Sequence, residues 1–293
     1  MKVISWNING IKTSLPFIGK LLVEEQPEAL FLSEIKVGQK TLDKLDTSVI
    51  PEDYEAFWNP CLKGGSHGTA FFVKKVLTPT LLTLTLPRPS GRRPLVGPEL
   101  LCPLRDAVDE TTIRLGHREE GRIIGVKITW RDEPFILIGT YVPNVGDPPA
   151  MLRLPYRVRE WDPDLCSYLE GCLAECPNLI WCVYDPVKQK GKGCFTIEER
   201  GAFGAMCERL SLLDTFRVTH PTRRTFSFFS FRFASVATNR GWRLDYLMVS
   251  KPLHDRVLTS AVFDDIDSRL NSRKPDGSLK RISDHLPIVL KLK

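Results

Sequence analysis

Short apolar runs recur along the chain, and several of them stop at a polar side chain. Val3-Ile4-Ser5-Trp6 ends at Asn7, and Ala29-Leu30-Phe31-Leu32 ends at Ser33-Glu34. Both patterns predict buried strands with a polar tip. Residues 15–25 between them predict a helix, so the pattern indicates the alternating strands and helices of an α/β protein.

Four later segments combine an apolar run with polar residues in a similar way. They are 135–138 before Tyr141-Val142-Pro143-Asn144, 179–183 before Tyr184-Asp185, the segment 241–246, and Ile282-Ser283-Asp284-His285 before 286–290. A single polar tip is ordinarily the start of a turn. Six tips rich in Asn, Glu, Asp, Tyr and His carry the residue types of a metal-assisted hydrolase. We therefore expect a shared sheet edge to gather all six into one active site.

Composition adds the class of protein. With 293 residues, 42% of them hydrophobic and 26% charged, the chain predicts a soluble globular protein with one domain, residues 1–293. No apolar run approaches the length of a membrane span, and the first strand leaves no room for a signal peptide, so we expect an intracellular protein. Eight cysteines without paired CxxC spacing predict reduced thiols.

Charge and one unusual segment bear on the partner. The net charge of +6 favours a polyanion such as the phosphate backbone of DNA. Residues 86–118 are rich in proline, arginine and glycine, which predicts a long loop insertion. Its Arg92 and Arg93 contact DNA in one interpretation, and in the other the loop is a solvated insertion.

The polar segments closely resemble signatures of the exonuclease III-like apurinic/apyrimidinic (AP) endonucleases, a branch of the endonuclease/exonuclease/phosphatase superfamily. The matching segments, in the family's order, are Ser5-Trp6-Asn7-Ile8-Asn9-Gly10, Ser33-Glu34-Ile35-Lys36, Glu120-Gly121-Arg122, Tyr141-Val142-Pro143-Asn144, Gly241-Trp242-Arg243-Leu244-Asp245-Tyr246 and Ser283-Asp284-His285. The resemblance implies a four-layer α/β sandwich, in which helices flank two packed mixed β-sheets.

The resemblance also implies a function. It is a DNA-repair hydrolase that cleaves the phosphodiester 5′ to abasic sites in double-stranded DNA, with a 3′-5′ exonuclease or 3′-phosphodiesterase activity as an addition. The expected protein is a nuclear monomer with no membrane association. Activity on soluble phosphate esters would instead indicate a superfamily phosphatase for inositol phosphates or lipids, although the Trp242 signature is not expected in that class.

The resemblance further assigns catalytic roles. Tyr141 donates its phenolic proton to a phosphate oxygen, Asn144 ties its loop, Asp185 activates water or manages the leaving group, Asp245 hydrogen-bonds within the site, and His285 contacts the scissile phosphate or the attacking water. Their alternative roles are core packing and turn formation.

A hard divalent cation assists phosphodiester hydrolysis, and Mg²⁺ prefers oxygen ligands. Glu34 is the best direct ligand because it ends an apolar run, and the side-chain oxygen of Asn7 is expected nearby. Mn²⁺ is the expected substitute. By resemblance Asp284 joins them at the metal, and it also pairs with His285 and orients the imidazole.

Residues 225–233 alternate aromatic and smaller residues, which predicts a half-buried strand. The resemblance implies that Phe228 from this region lines a pocket for the flipped abasic sugar, together with Trp242 and Leu244. A small apolar pocket favours a sugar without a base, and the missing base lowers the cost of extrusion.

One signature departs from the family. Its GDxN motif corresponds here to Tyr184-Asp185-Pro186-Val187, so valine replaces an asparagine that is expected to hold the aspartate and the phosphate. Losing one preorganised donor typically costs about 10² to 10³ in rate. The following residues 188–194 are shorter and more basic than expected, and Gln189 could lend an amide. An enzyme of reduced activity, a non-catalytic DNA-binding relative and a misassembled coding sequence all fit this segment.

Overall fold

The structure is a computed structural model that describes residues 1–62, 65–82, 120–146, 153–184, 196–231, 235–263, 271–273 and 279–293. The predicted loop insertion at 86–118 lies outside the described residues. So do Asp185, Val187 and Gln189 of the departing signature.

The described strands are, in chain order, β1 (Lys2–Asn7), β2 (Ala29–Ser33), β3 (Tyr54–Asn59), β4 (Thr69–Lys74), β5 (Thr80–Leu81), β6 (Ile123–Trp130), β7 (Glu133–Tyr141), β8 (Leu179–Tyr184), β9 (Leu212–Asp214), β10 (Asp245–Ser250), β11 (Val257–Val262), β12 (Asn271–Arg273), β13 (Leu279–Arg281) and β14 (Ile288–Leu292). Within the described residues they form two six-stranded sheets, ordered β11-β14-β1-β2-β4-β3 and β5-β6-β7-β8-β10-β9, and a β12-β13 ladder. In each large sheet one central pair is parallel, β1 with β2 and β7 with β8, and the other pairs are antiparallel. Both large sheets are therefore mixed.

The described α-helices of five or more residues are α1 (Ile11–Glu25), α2 (Asp162–Glu175), α3 (Ile197–Arg209) and α4 (Thr215–Thr219). The other helical pieces are the short α-helical Gln39–Leu42 and Leu154–Tyr156, the 3₁₀-helical Lys75–Leu77 and Lys251–Arg256, and the π-helical Arg157–Trp161. The helix predicted at 15–25 is confirmed, and it begins earlier, at Ile11. In the part of the chain that the structure describes, no helix combines the length and the apolar character needed to span a membrane.

Three apolar clusters separate the layers. The faces of the two sheets meet at residues such as Phe31, Phe71 and Leu137. The outer face of the first sheet packs on α1, and that of the second sheet packs on α2. The order of layers is helix, sheet, sheet and helix, which confirms the four-layer sandwich.

The predicted strand at 225–233 is wrong for the described residues. Phe228 forms only isolated bridges, to Trp242 and to His285. Phe228 and its neighbour Phe229 are both buried, whereas a half-buried strand would bury only one of two neighbours. The cause is the hydrogen bonding of this segment to two different loops, because the Phe228 amide donates to Trp242 and the Phe229 amide donates to Asp284.

The cysteine prediction agrees with the described residues. The cysteines there lie outside any disulfide, namely Cys61, Cys166, Cys172, Cys176, Cys182 and Cys207. Cys172 lies in α2 and Cys176 follows its end, which gives the helical i, i+4 relation expected for the pair.

Candidate active site

The first sheet contributes two polar residues at the carboxyl ends of its parallel strands. Asn7 ends β1, and Glu34 directly follows β2. Because Asn7 pairs in register with Ser33, Asn7 and Glu34 lie next to each other. The Asn7 Nδ2 donates to Glu34 Oε1 at 2.8 Å. Glu34 has a left-handed backbone with φ of 55°, a conformation that is uncommon for residues other than glycine. This turn leaves the Glu34 side chain 13% exposed, beside the amide of Asn7.

Lys36 completes the surroundings of this carboxylate, because its Nζ lies 2.7 Å from Glu34 Oε2. Burial opposes ionisation of Glu34. The hydrogen bonds from Asn7 and Lys36, with the positive charges of Lys36 and His285, outweigh burial and hold the pKa of Glu34 below its ordinary value. Glu34 is therefore a stable anion at neutral pH.

The second sheet brings three residues side by side at one end. Tyr141 ends β7, Tyr184 ends β8 and Asp245 begins β10, and they are register partners across the three strands. Asp245 Oδ2 lies 2.8 Å from Nδ1 of His285, and both side chains are about 2% exposed. His285 itself precedes β14 of the first sheet. The aspartate–histidine contact thus joins the ends of the two sheets.

This contact corrects the expected partner of the imidazole. The sequence indicated that Asp284 orients His285, but the structure places Asp245 at Nδ1. An aspartate next to the histidine in the chain points away from it when the backbone is extended. Asp284 is half-buried, and burial, partly offset by the His285 charge, raises its pKa.

Three hydrogen bonds fix the backbone around His285. Ser283 Oγ donates to the Asn7 carbonyl at 2.6 Å and accepts from the His285 amide at 3.1 Å. Trp6 Nε1 donates to the His285 carbonyl at 3.0 Å. The loop before β14 is therefore tied to the end of β1, which also carries Asn7.

Complete burial tends to lower the pKa of His285. The charge of Asp245 and its hydrogen bond oppose this, and Asp284 and Glu34 add to them, so the pKa of His285 is raised above its ordinary value. With Nδ1 directed at Asp245, Nε2 is the nitrogen left to act on a substrate. The site therefore favours an imidazolium that donates through Nε2.

Of the three residues expected to form the sugar pocket, Phe228 and Trp242 are in contact. The Phe228 ring stacks on Trp242 with 5.2 Å between ring centroids, and it lies 4.8 Å from the His285 ring. Leu244 is 1% exposed. Ser227 Oγ accepts hydrogen bonds from the amides of Leu244 and Asp245 at 3.0 and 3.1 Å. Ser227 thus fixes the backbone segment 242–245, which carries both Trp242 of the aromatic pair and Asp245 of the aspartate–histidine pair.

The remaining predicted residues have different outcomes. Tyr141 is held near Glu34, and burial and the Glu34 charge raise the pKa of its phenol, which therefore stays protonated. Asn144 is exposed, and its Oδ1 accepts from the Gly146 amide at 2.9 Å, as a residue that ties its loop would. Asp185 lies outside the described residues.

Several neighbours received no role from sequence alone. Lys36 and Arg122 lie inside matched signatures, and Ser283 directly precedes the Asp284-His285 pair. Ser227 and His67 lie outside those signatures. A signal for Ser227 was available, because a small polar residue between the aromatic residues Phe226 and Phe228 is a candidate acceptor for a neighbouring turn.

The oxygen donors fit a weakly chelated hard cation. Within the described residues, no three His, Cys, Asp or Glu side chains form a cage for a metal ion. Mg²⁺ needs no such cage, since it keeps several waters and takes one or two carboxylates. Glu34 supplies one ionised carboxylate, with Asp284 close enough to affect its charge state. The Asn7 Oδ1, expected as a second donor, accepts from the Asn9 amide at 3.2 Å.

Comparison with known proteins agrees with this geometry. Residues 4–139 match the Endonuclease/Exonuclease/phosphatase family. A DNA-(apurinic or apyrimidinic site) endonuclease of Dictyostelium discoideum is 30% identical over 273 residues, covering 89% of this chain and 65% of that protein. An exodeoxyribonuclease of Bacillus subtilis is 26% identical over 304 residues, covering 99% of this chain and 98% of that protein. The chain therefore spans slightly less than two thirds of the first relative and nearly all of the second.

The comparison with solved structures supports the fold. The crystal structure of an AP endonuclease from Leishmania major has a TM-score of 0.74 at 24% identity and covers 100% of this chain and 87% of that chain. Over residues 4–139 the chain is similar to the endonuclease/exonuclease/phosphatase family. Its relatives over most of the chain are AP endonucleases and exodeoxyribonucleases, the branch that its sequence signatures resemble.

Proposed function

We propose that the protein is a Mg²⁺-dependent phosphodiesterase that incises double-stranded DNA 5′ to abasic sites. One observation carries the proposal. The buried His285–Asp245 pair contacts the stacked rings of Phe228 and Trp242 and lies at the same end of the sheets as the anionic Glu34. Phosphodiester hydrolysis needs a donor for the phosphate, a cation site and a shaped substrate pocket, and this arrangement offers all three.

His285 is the catalytic residue at the phosphate. Asp245 fixes the imidazole through Nδ1 and stabilises its positive charge. Nε2 then donates a hydrogen bond to a non-bridging phosphate oxygen, where negative charge grows in the transition state. The protonated phenol of Tyr141 supplies a second donor to the phosphate.

Glu34, with Asp284 beside it, would hold the metal. When bound there, Mg²⁺ neutralises phosphate charge and lowers the pKa of a water molecule. Lys36 contacts the same carboxylate, so its ammonium balances the charge of Glu34 in the absence of the cation. Mn²⁺ is the proposed substitute, since it also accepts oxygen ligands.

Phe228, Trp242 and Leu244 select the substrate. Their stacked, apolar surfaces suit a deoxyribose that carries no base, and extrusion costs least where base pairing is already lost. The 3′-5′ exonuclease or 3′-phosphodiesterase activity belongs to the same proposal, because 3′-end trimming hydrolyses the same kind of bond. We place this activity in base excision repair, in a monomer located in the nucleus.

The experiment is incision of a duplex with one abasic-site analogue, with Mg²⁺ and with chelator. Nicking that needs Mg²⁺ and falls by roughly 10² or more in His285→Ala supports the proposal. His254→Ala is the matched control, because the Nδ1 of His254 also lies near an aspartate, Asp255 at 3.3 Å, but on the surface. Equal nicking by both variants, or nicking in chelator, would contradict it.

A second candidate is a DNA-binding relative without turnover, which the valine at position 187 favours. Tight binding of the abasic duplex without incision would identify it. The variant Val187→Asn then distinguishes the cause. Restored nicking assigns the defect to the single missing amide, and continued inactivity assigns it to the altered segment 188–194. Hydrolysis of soluble phosphate esters in place of DNA would instead indicate a phosphatase.

A further inference from the structure

A second buried cluster adjoins the site, with Arg122 at its centre. Arg122 is 1% exposed, although arginine is rarely buried without partners. Its Nε contacts the carboxylate of Glu120, its Nη1 donates to the Tyr141 carbonyl at 3.2 Å, and its Nη2 lies 3.1 Å from Nε2 of His67. The planar guanidinium thus has three separate anchors.

Arg122 also holds the Tyr141 side chain and backbone directly. The guanidinium carbon lies 4.9 Å from the centre of the Tyr141 ring, within the range of a cation–π contact. The Tyr141 amide donates to the Arg122 carbonyl at 2.8 Å. The ring, the amide and the carbonyl of Tyr141 are therefore all fixed by one residue, while its phenol interacts with both Glu34 and Arg122.

The first sheet determines where Arg122 lies. Gly121 has φ of +61°, and a Cβ there would come within 2.3 Å of the Asn59 carbonyl at the end of β3. The Gly121 carbonyl accepts from Thr69 Oγ1 at 2.9 Å. This close approach packs the start of β6 against the first sheet. The first sheet therefore sets the position of Arg122, and Arg122 in turn contacts Tyr141 on the second sheet.

His67 supports the far side of the guanidinium. Burial, with the charge of Arg122, lowers the pKa of His67 to about 4, so the ring is neutral at pH 7 and its Nε2 accepts from Arg122. Its Nδ1 is buried with no hydrogen-bond partner among the described residues. Burying a ring nitrogen without a hydrogen bond costs free energy. The hydrogen bond between Arg122 and the other ring nitrogen, Nε2, offsets this cost and holds the His67 ring beside the guanidinium.

We propose that Arg122 is a positioning residue for the reaction, which aims the Tyr141 phenol at the phosphate with His67 and Glu120 as its supports. The inference rests on the proposed function, in which Tyr141 is a phosphate donor. Arg122 itself touches neither the metal nor the phosphate. Its removal should therefore lower kcat and leave KM nearly unchanged, because the misplaced phenol mainly fails the transition state.

The test is a double-mutant cycle with abasic duplex. Lysine cannot reach three anchors with one ammonium group, so Arg122→Lys should lower kcat roughly 10-fold. In a protein that already carries Tyr141→Phe, the decrease in kcat caused by Arg122→Lys should shrink below about 2-fold, because the phenol that Arg122 positions is gone. Arg256→Lys is the matched control. Arg256 also pairs with a glutamate and lies over aromatic rings, at the opposite end of β7, and its replacement should leave kcat unchanged.

A second readout does not need activity. In protein labelled with 3-fluorotyrosine, loss of one ¹⁹F signal in Tyr141→Phe identifies Tyr141 among the six tyrosines. That signal should shift in Arg122→Lys and, to a smaller extent, in His67→Ala, which removes one support and keeps the arginine. Arg256→Lys should not move it.

The outcomes separate the two proposals. The positioning role would be overturned if the Tyr141 ¹⁹F signal does not move in Arg122→Lys. It would also be overturned if Arg122→Lys lowers kcat by the same factor in the presence and in the absence of the Tyr141 phenol. If the natural protein never incises abasic DNA, the proposed function fails, and the ¹⁹F shift alone decides whether Arg122 positions Tyr141. Loss of folding in Arg122→Lys transfers the test to His67→Ala, for which the same shift and the same coupling to Tyr141→Phe are expected.

Discussion

His285 and Asp245 show how the site depends on individual residues. They lie 40 positions apart in the chain, and their side chains meet at 2.8 Å in a buried contact. The aspartate adjacent in sequence, Asp284, is half-buried, and the charge of Glu34 affects its pKa. Its proposed role is to help Glu34 hold the metal. Both aspartates were predicted to be at the site, but the assignment of the orienting partner required the tertiary structure.

Asp245→Asn is expected to lower kcat/KM for abasic duplex by roughly 10² to 10⁴, because an amide cannot stabilise the imidazolium. Steady-state incision kinetics measure this. Asp255→Asn, the exposed partner of His254, serves as the control and should retain full activity. Full activity of Asp245→Asn would remove the His285 mechanism proposed above.

The same substitution predicts a pH effect. Asp245 raises the pKa of His285, so the activity that needs the imidazolium falls as pH rises through the folded-state pKa. Asp245→Asn should move this alkaline limb to lower pH. The raised pKa also means that the Asp245–His285 interaction stabilises the folded protein. Its contribution to the free energy of unfolding is fully present below the unfolded-state histidine pKa of about 6.5 and is lost as pH rises through the folded-state pKa of His285. The urea stability difference between the two proteins should therefore be larger at pH 6 than at pH 9.

At the scale of elements, the strand ends were predictable and the connections were not. The apolar runs at 179–183 and 286–290 belong to β8 and β14. The predicted strand at 225–233 is wrong for the described residues, because the Phe228 amide donates to Trp242 and the Phe229 amide donates to Asp284, so the segment bonds to two loops and not to one partner strand. Alternation in sequence implies a strand only where a partner strand supplies a ladder.

Gly139 in β7 marks where the two sheets approach each other. A Cβ there would lie 2.1 Å from the Phe31 ring across the inter-sheet core. We expect Gly139→Ala to destabilise the fold by about 1–3 kcal/mol, as overpacking does. Thermal and urea unfolding measure it. Gly171→Ala in α2 is the control, because nothing lies within 4 Å of its Cβ position, and helix propensity predicts a neutral or stabilising change.

At the scale of the whole molecule, the site lies on both sheets. The contact of Asp245 with His285 depends on how the sheets pack, and so does the close approach of Gly121 to Asn59 beside Arg122. Glu34 and Asn7 come from the first sheet, Tyr141 and Asp245 from the second. The sequence predicted one shared sheet edge, whereas the site uses the same end of two sheets.

A cation that binds only the folded protein stabilises it by mass action. Mg²⁺ in excess over its Kd should therefore raise the unfolding temperature of the natural protein, and Glu34→Gln should lose this rise. Differential scanning calorimetry with Mg²⁺ and with chelator measures it. Glu55→Gln, an exposed glutamate on β3, should keep the Mg²⁺ effect. An equal rise in both variants would place the metal elsewhere.

The sequence by itself determined the alternation of strands and helices and most of the strand ends, because apolar periodicity depends on local burial that each segment carries alone. The four layers followed from the resemblance of its polar segments to family signatures. The sequence also singled out residues that the structure places at one end of the two sheets, from Asn7 and Glu34 to Trp242 and His285. Only the tertiary structure decided which groups touch, since contacts between distant segments depend on how the sheets pack. The contact of Asp245 with His285 is of this kind, because Asp245 begins a strand of the second sheet and His285 precedes a strand of the first.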